Sequence, residues 1–332
     1  MNHNSIFAAA GRRQFLIFVF LLTGFLTLGH LREAFCAEEF PQKEIKLITP
    51  YGVGGGVDIV ARIFADNIGK TLGVPVVVVN NTAGGGSVAP VTVAKAKPDG
   101  YNLLYAAAGL LSTKLILNPE TPYRHTDFTP VSLLIENISV LWVQNDAPWK
   151  NLKELVDYAK ENPGKLRGTG SVPGSGIHVL MKLFQVEAGI KFVDIPTTGG
   201  AAMTTAVMGG HAEFCFDVIT SGIDSMRAGR LRALASTRRV PGFPMIKTFE
   251  EQGHPLPWDM WHGVFAPKGL PQPILLKLTK AFEIACNDAS LQEQLNKLYI
   301  FPHYRNPEET TKFVDNEWEM MLKILKESGL AK

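Results

Sequence analysis

Residues 45–49 (Ile-Lys-Leu-Ile-Thr) stop at Pro50 and give way to Gly52, Gly54, Gly55 and Gly56. Apolar residues then return at helical spacing: Ile59, Val60, Ile63 and Phe64. The pattern predicts a strand, a bare-backbone loop and a helix over 58–71. Val74 to Val79 is β-branched throughout except at Pro75 and predicts a buried parallel strand. A second glycine loop, Asn80 to Ser87, leads into a short helix over 88–97, a Pro98-Asp99-Gly100 turn and a strand over 103–107. This β-α-β-α-β order builds a parallel sheet through right-handed crossovers.

The order recurs downstream. Strand 165–170, polar loop Ser171 to Gly176, helix 177–188, strand 191–195, loop Pro196 to Gly200, helix 201–208 and strand 212–218 follow in turn. Between the two units lies Pro130 to Pro148, with apolar Ile138 to Val143 inside it, and a second crossing is expected at Trp261 to Pro267. Helices over 273–286, 291–297 and 307–328 would pack back on the first unit. The expected fold is α/β with two lobes, each a mainly parallel sheet with helices on both faces. One lobe holds 38–140 plus 265–332 and the other 141–264, with hinge crossings near 138–145 and 261–267. In open α/β sheets ligands bind beyond the carboxyl ends of the strands. All four polar loops sit at such ends and converge on one cleft.

Composition changes the picture at the N-terminus. Arg12 and Arg13 precede an apolar run from Phe15 to Leu28, with small residues at Ala34 and Ala37. This reads as a cleavable signal peptide over 1–37, too short to span a bilayer comfortably. An ordinary secretory leader and a twin-arginine leader both fit. Removing it takes away Arg12, Arg13, Arg32 and Glu33, leaving a formal charge of zero, so no basic surplus points to nucleic acid. At roughly 100–200 residues per domain, the chain of 332 residues suits two domains. Cys215 lies in an apolar run and reads as a buried free thiol; its pairing with Cys286 stays open.

Catalytic and cofactor motifs fail on spacing. A dinucleotide fingerprint from Gly52 would need glycine at Val57, and Asn80 stands where an acidic residue would end the next strand. Gly69-Lys70-Thr71 lacks the upstream glycine of a P-loop, since position 64 is Phe. Neither Ser171 nor Ser175 sits in G-x-S-x-G, because Pro173 takes the glycine place before Ser175. The eight histidines are scattered, without the spacing of a metal site. What remains is anion binding: glycine lets amides approach a ligand, and a helix start behind it adds unpaired donors. Asp58 fits either a helix cap or a loop-orienting role. Asp217, at a predicted strand end, fits either a cap or a ligand acceptor.

Several motifs together resemble one family. Pro50-Tyr51-Gly52-Val53-Gly54-Gly55-Gly56-Val57-Asp58 resembles the P-F-x-x-G-G-x-x-D stretch of the tripartite tricarboxylate transporter substrate-binding proteins, the Bug family. Asn80 to Gly86, Val93-Ala94 and Pro98-Asp99-Gly100-Tyr101 are similar to its N-R-P-G-A-G-G, V-A and P-D-G-Y elements. Gly170 to Ser175 with His178, Gly199-Gly200-Ala201, Phe216-Asp217, Gly229 to Ala235 and Trp261 to Pro267 continue the likeness along the chain.

The resemblance implies a periplasmic type II binding protein without catalysis. It implies capture of a small organic carboxylate and delivery to the membrane components of a tripartite tricarboxylate transporter. No cofactor is implied, and the chain is expected to act as a monomer. The resemblance maps the ligand carboxylate's contacts onto Tyr51 to Gly56, Ser171 to Ser175, Thr197-Thr198 and Asp217, and the full expected ligand-binding set is Tyr51, Val53, Gly54, Gly55, Gly56, Asp58, Gly85, Ser171, Ser175, His178, Thr197, Thr198 and Asp217. Thr197 and Thr198 replace a common Tyr-Lys, and Asn81-Thr82 a common Arg-Pro. Both departures remove positive charge, so recognition is expected to lean on neutral donors and backbone amides. A sensor subunit presenting the same ligand to a signalling partner, or a secreted α/β hydrolase, are the alternatives.

Overall fold

The computed structural model describes residues 40–171, 175–197, 201–256, 258–327 and 331. The expected leader over 1–37 lies outside them. The elements below belong to the packed unit Lys43–Lys332.

The first sheet begins as expected. Strand β1 (Ile45–Thr49) feeds helix α1 (Gly56–Leu72), then β2 (Val76–Asn80), α2 (Val88–Ala94), β3 (Asn102–Ala107) and α3 (Thr113–Leu117). Helix α1 buries Val60, Ala61, Phe64, Ala65 and Ile68 as one stripe. It ends at Gly73, whose φ of 73° lets its N–H return to the Gly69 carbonyl. Strand β4 (Phe128–Glu136) completes this half of the chain.

The second sheet follows at once. It contains β5 (Ser139–Gln144), β6 (Arg167–Thr169), β7 (Val193–Asp194), β8 (Phe214–Val218) and β9 (Leu231–Ser236). Its helices are α4 (Leu152–Glu161), α5 (Gly176–Ala188), α6 (Ala201–Met208) and α7 (Ile219–Arg227). Asn151 caps α4 by accepting the Glu154 N–H at 3.0 Å, and this N-x-x-E start was a legible helix signal that the pattern reading passed over. The chain returns through β10 (Trp261–Pro267), α8 (Gln272–Asn287), α9 (Ala289–Lys297), β11 (Phe301–Arg305) and α10 (Pro307–Glu327).

Strand order is β11-β4-β10-β3-β1-β2 in one sheet and β7-β6-β8-β5-β9 in the other. The architecture is α/β with two sheets, as expected, but the pairing is more mixed than "mainly parallel". Strands β1, β2 and β3 pair in parallel, as do β6, β7 and β8. The first strand after each crossing runs the other way and inserts into the sheet interior. Strand β5 lies between β8 and β9, and β10 between β3 and β4, antiparallel on both sides. Strand β2 also differs from expectation. It is an edge strand with Val77 and Val79 exposed, because no further strand covers it.

The chain passes between the sheets at 137–138 and again at 259–260, and the two passages lie side by side. The Asn137 N–H donates to the Met260 carbonyl at 2.7 Å. Asp259 is buried and accepts the Ser139 hydroxyl at 2.6 Å and the Thr237 hydroxyl. Burial pushes its carboxyl up to about 6, against these hydroxyls, the Met260 N–H and Arg238. Glu136, the last residue of β4, pairs with Arg238 beyond β9 and with Arg305 at 2.6 Å. One hydrophobic cluster runs from Leu104 and Leu133 through Trp258 and Trp261 to Leu141 and Phe216. Cys215 and Cys286 are buried free thiols.

Candidate functional site

Because β1 to β4 run in one direction, their carboxyl ends share an edge, and β10 starts at that edge. Three loops meet there: 50–55, 81–87 and 108–112.

The first loop is built around Asp58. Its Oδ2 accepts the Gly54 N–H at 2.8 Å and Arg62 Nε at 3.0 Å. Its Oδ1 accepts Asn80 Nδ2 at 2.8 Å, and Asn80 also donates to the Tyr51 carbonyl at 2.9 Å. Burial alone would raise this carboxyl. The Arg62 side chain, the Gly54 N–H and Asn80 together outweigh it and hold the carboxyl below its ordinary value. Gly54 has φ +77°, which glycine adopts without a steric penalty. The Gly55 N–H goes to the Gly52 carbonyl at 3.3 Å. Two amides expected to face a ligand are therefore engaged within the loop. The donors left over belong to Gly56, Val57 and Asp58, in the first turn of the 17-residue helix α1, where no intrahelical partner exists.

Gly84, Gly85 and Gly86 all have positive φ and form a left-handed turn. A Cβ at Gly86 would lie 3.2 Å from the Pro50 side chain, so the two glycine loops meet there. Lys114, on α3, donates to the Gly85 carbonyl at 2.6 Å. The third loop is anchored from behind by Glu317 on α10, which accepts the Ser112 hydroxyl and the Trp261 indole N–H. Burial raises the Glu317 carboxyl, opposed by Ser112, Trp261, Trp258 and the Gly109 backbone.

In the second sheet, Ser175 caps α5. Its hydroxyl accepts the His178 N–H at 3.3 Å and donates to the Gly170 carbonyl at 3.2 Å. His178 Nε2 lies 3.3 Å from Asp194 Oδ2, which Lys182 also approaches at 2.6 Å. The ring thus ties α5 to β7. Thr169 and Thr197 share a hydroxyl contact at 3.0 Å. Ser171 holds φ 73°, a costly conformation for a non-glycine residue. Asp217 is buried at the end of β8 and accepts the Val218 N–H at 2.7 Å.

A cleft of about 500 Å3 opens between these groups. Tyr51, Gly85 and Ser175 of the expected set line it. Asp58 and the Gly54 amide stand behind its wall, Val53 is an exposed loop tip, and His178 is held on Asp194. Gly56 opens α1, Ser171 precedes residues that are not described, and Thr198 lies outside the described residues. Lys114, Thr113, Met260 and His262 also line the cleft and were not anticipated. The available signal for Lys114 was a single cation in the otherwise uncharged stretch Leu110 to Leu117, just past a strand end. It adds a cation to the neutral donors and backbone amides on which recognition is expected to lean.

The remaining polar lining is neutral. Burial pulls the His262 pKa down to about 3, and its Nδ1 is 3.1 Å from the Tyr105 hydroxyl. Burial pushes the Tyr51 phenol up to about 12, against the Ala107 backbone. Helix-start amides, hydroxyls and one ammonium can hold an anion. The Ser175 hydroxyl meets a carbonyl and an amide rather than an imidazole, so it has no base to activate it. Among the described residues no group of three or more His, Cys, Asp and Glu is placed to hold a metal ion.

Asp217 makes a pH-dependent prediction. Burial pushes its carboxyl up to about 7, against the Val218 N–H and the Ser221 hydroxyl. The folded state keeps a proton that the unfolded chain releases near pH 4. The stabilisation is complete below about pH 4 and is lost as pH rises through about 7. His262 works in the opposite sense, gaining stability as pH rises from about 3 toward its unfolded value near 6.5. The wild-type profile therefore hides the effect, and a variant difference isolates it. Asp217→Asn should gain on wild type by about 2–3 kcal/mol between about pH 5 and about pH 8 in urea unfolding. A constant difference would contradict it.

The profile of the tripartite tricarboxylate transporter family receptors matches residues 60–330. Protein BugT of Bordetella pertussis is 29% identical over 310 residues, covering 92% of this chain and 95% of that protein. An R. palustris structure with adipate is 27% identical with TM-score 0.74, covering 88% of this chain and 99% of that one. MatC of Rhodopseudomonas palustris, with bound malate, is 27% identical with TM-score 0.70, covering 86% of this chain and 100% of that one. The chain belongs to the tripartite tricarboxylate transporter receptor family, and it is a solute-binding receptor, not an enzyme.

Proposed function

We propose that this receptor captures a small organic carboxylate in the cleft between its two lobes and delivers it to the membrane components of a tripartite tricarboxylate transporter. The observation that carries the reading is the cleft itself. It combines the open first turn of α1, the start of α5 and the Lys114 ammonium, with no carboxylate among its described lining residues. The adipate and malate held by relatives of the same fold support the ligand class. The lobes divide between β4 and β5 and again just before β10, and they close on the ligand by bending at these two adjacent crossings. A leader over 1–37 exports the chain to the periplasm.

Val57 lines the cleft and is half-exposed, so a larger side chain there obstructs the site without disturbing the core. Purified wild type should show a rise in melting temperature with at least one acid in a carboxylate panel. Val57→Trp should lose that rise while unfolding as cooperatively as wild type. An equal rise in both proteins would move the binding site elsewhere.

A further inference from the structure

We infer that Lys114 is the counter-ion of the ligand's carboxylate, and that it selects a monocarboxylate with an uncharged, largely apolar body over a dicarboxylate. This inference rests on the carboxylate-capture reading and narrows it.

Among the described residues, Lys114 is the one charged side chain that lines the cleft. An ammonium has three donors. One goes to the Gly85 carbonyl at 2.6 Å, and among the described residues no carboxylate forms an ion pair with it. The group is partly withdrawn from water, and burial pulls its pKa down, as expected where a cation lacks a compensating charge. A ligand carboxylate at this position supplies that charge and takes the spare donors. It also lies beside the left-handed turn at Gly84 to Gly86, where the backbone carries no side chain to obstruct it.

The rest of the cleft sets what the carboxylate is attached to. Pro50, Val57, Ala108, Leu110 and Met260 form an apolar wall, and His262, which lines the cleft beside them, is neutral. Asp58 and Arg62 satisfy each other outside the cleft and contribute no net charge. A second carboxylate would meet no second cation. The first turn of α1, at Val57, and the start of α5, at Ser175 and Gly176, each offer a helix dipole of only roughly half a unit charge. The Ser175 hydroxyl is already engaged at both ends. One full positive charge and an apolar wall therefore match one carboxylate and an apolar body.

The test is titration calorimetry of the purified protein with hexanoate, benzoate, adipate, malate and hexanamide. Hexanoate or benzoate should bind more tightly than adipate and malate, and hexanoate more tightly than hexanamide. Lys114→Met should weaken binding of the preferred acid by about 10- to 100-fold, the value of a hydrogen bond to a charged group. It should also collapse the preference for hexanoate over hexanamide, which a purely structural role for Lys114 would leave intact. Lys114→Arg, which keeps the charge, should retain that preference and serves if the methionine variant does not fold. Tighter binding of adipate or malate, or an undiminished acid preference in Lys114→Met, would overturn the inference while leaving carboxylate capture standing. Binding of none of the four acids by wild type would overturn both.

Discussion

Asp58→Ala is expected to destabilise the protein by about 2–3 kcal/mol and to abolish ligand binding. Asp58 is buried, whereas Arg62 is partly exposed, so the loss falls below the roughly 3–5 kcal/mol of a fully buried pair. Three partners are released together: the Gly54 N–H, Asn80 Nδ2 and the Arg62 guanidinium. Without the carboxylate, nothing curls the backbone at Gly54, and the first turn of α1 no longer stands open toward the cleft. Urea unfolding and titration with the acid that binds wild type measure the two effects separately. Because the folded carboxyl is held below its ordinary value, its stabilisation is present above about pH 4 and is lost as pH falls through the folded pKa. The wild-type advantage over Asp58→Ala should shrink in acid. A variant with wild-type affinity would show that the loop shape does not depend on Asp58.

Glu317→Ala should cost about 3 kcal/mol or more, although Glu317 does not line the cleft. Its carboxyl faces donors: the Ser112 hydroxyl and the Trp261 indole N–H, with Trp258 and the Gly109 backbone beside them. Removing it leaves buried donors without an acceptor. Glu317→Gln is not conservative here, because its amide turns a donor toward donors, so it should recover only part of the loss. The loop from Ala107 to Thr113 forms one wall of the cleft, and its anchoring passes through Ser112, so affinity should fall along with stability. A drop in melting temperature with unchanged affinity would show that the wall holds its shape without this anchor.

The loops of the site were legible because their signals are local. Glycines after an apolar stretch, followed by helical spacing, place Tyr51 to Gly56 and Asn80 to Ser87 at strand ends with no knowledge of the fold. What those residues do there depends on partners far along the chain. Asp58 meets Asn80 across 22 positions, which fixes the carboxylate that takes the Gly54 amide inside the loop instead of leaving it to a ligand. His178 follows Ser175 closely enough to suggest a shared role, yet the position of β7 gives it to Asp194. Lys114 looks like any lysine on a short helix until β10 pairs with β3 and closes the cleft around it. Strand β2 has the composition of a buried strand, but its exposure follows from strand order, which no window of residues records. The stretch from Trp261 to Pro267 was expected as a passage between lobes and is a fully buried interior strand. Its neighbours, β3 and β4, lie more than a hundred residues away.

The interior placement of β5 and β10 has a mechanical consequence. Each crossing strand is hydrogen-bonded along both edges, so neither can stretch or slide. Asp259 fastens its end of the return path to Ser139 and Thr237, and the Asn137 N–H on Met260 binds the two paths to each other. Rotation of one half against the other would have to act as torsion at 137–138 and 259–260, two short tethers lying side by side. Such a pair permits rotation about one axis and resists shear. Under the proposed capture and delivery, such a joint would give a membrane partner a single angular coordinate that reports whether the cleft is filled.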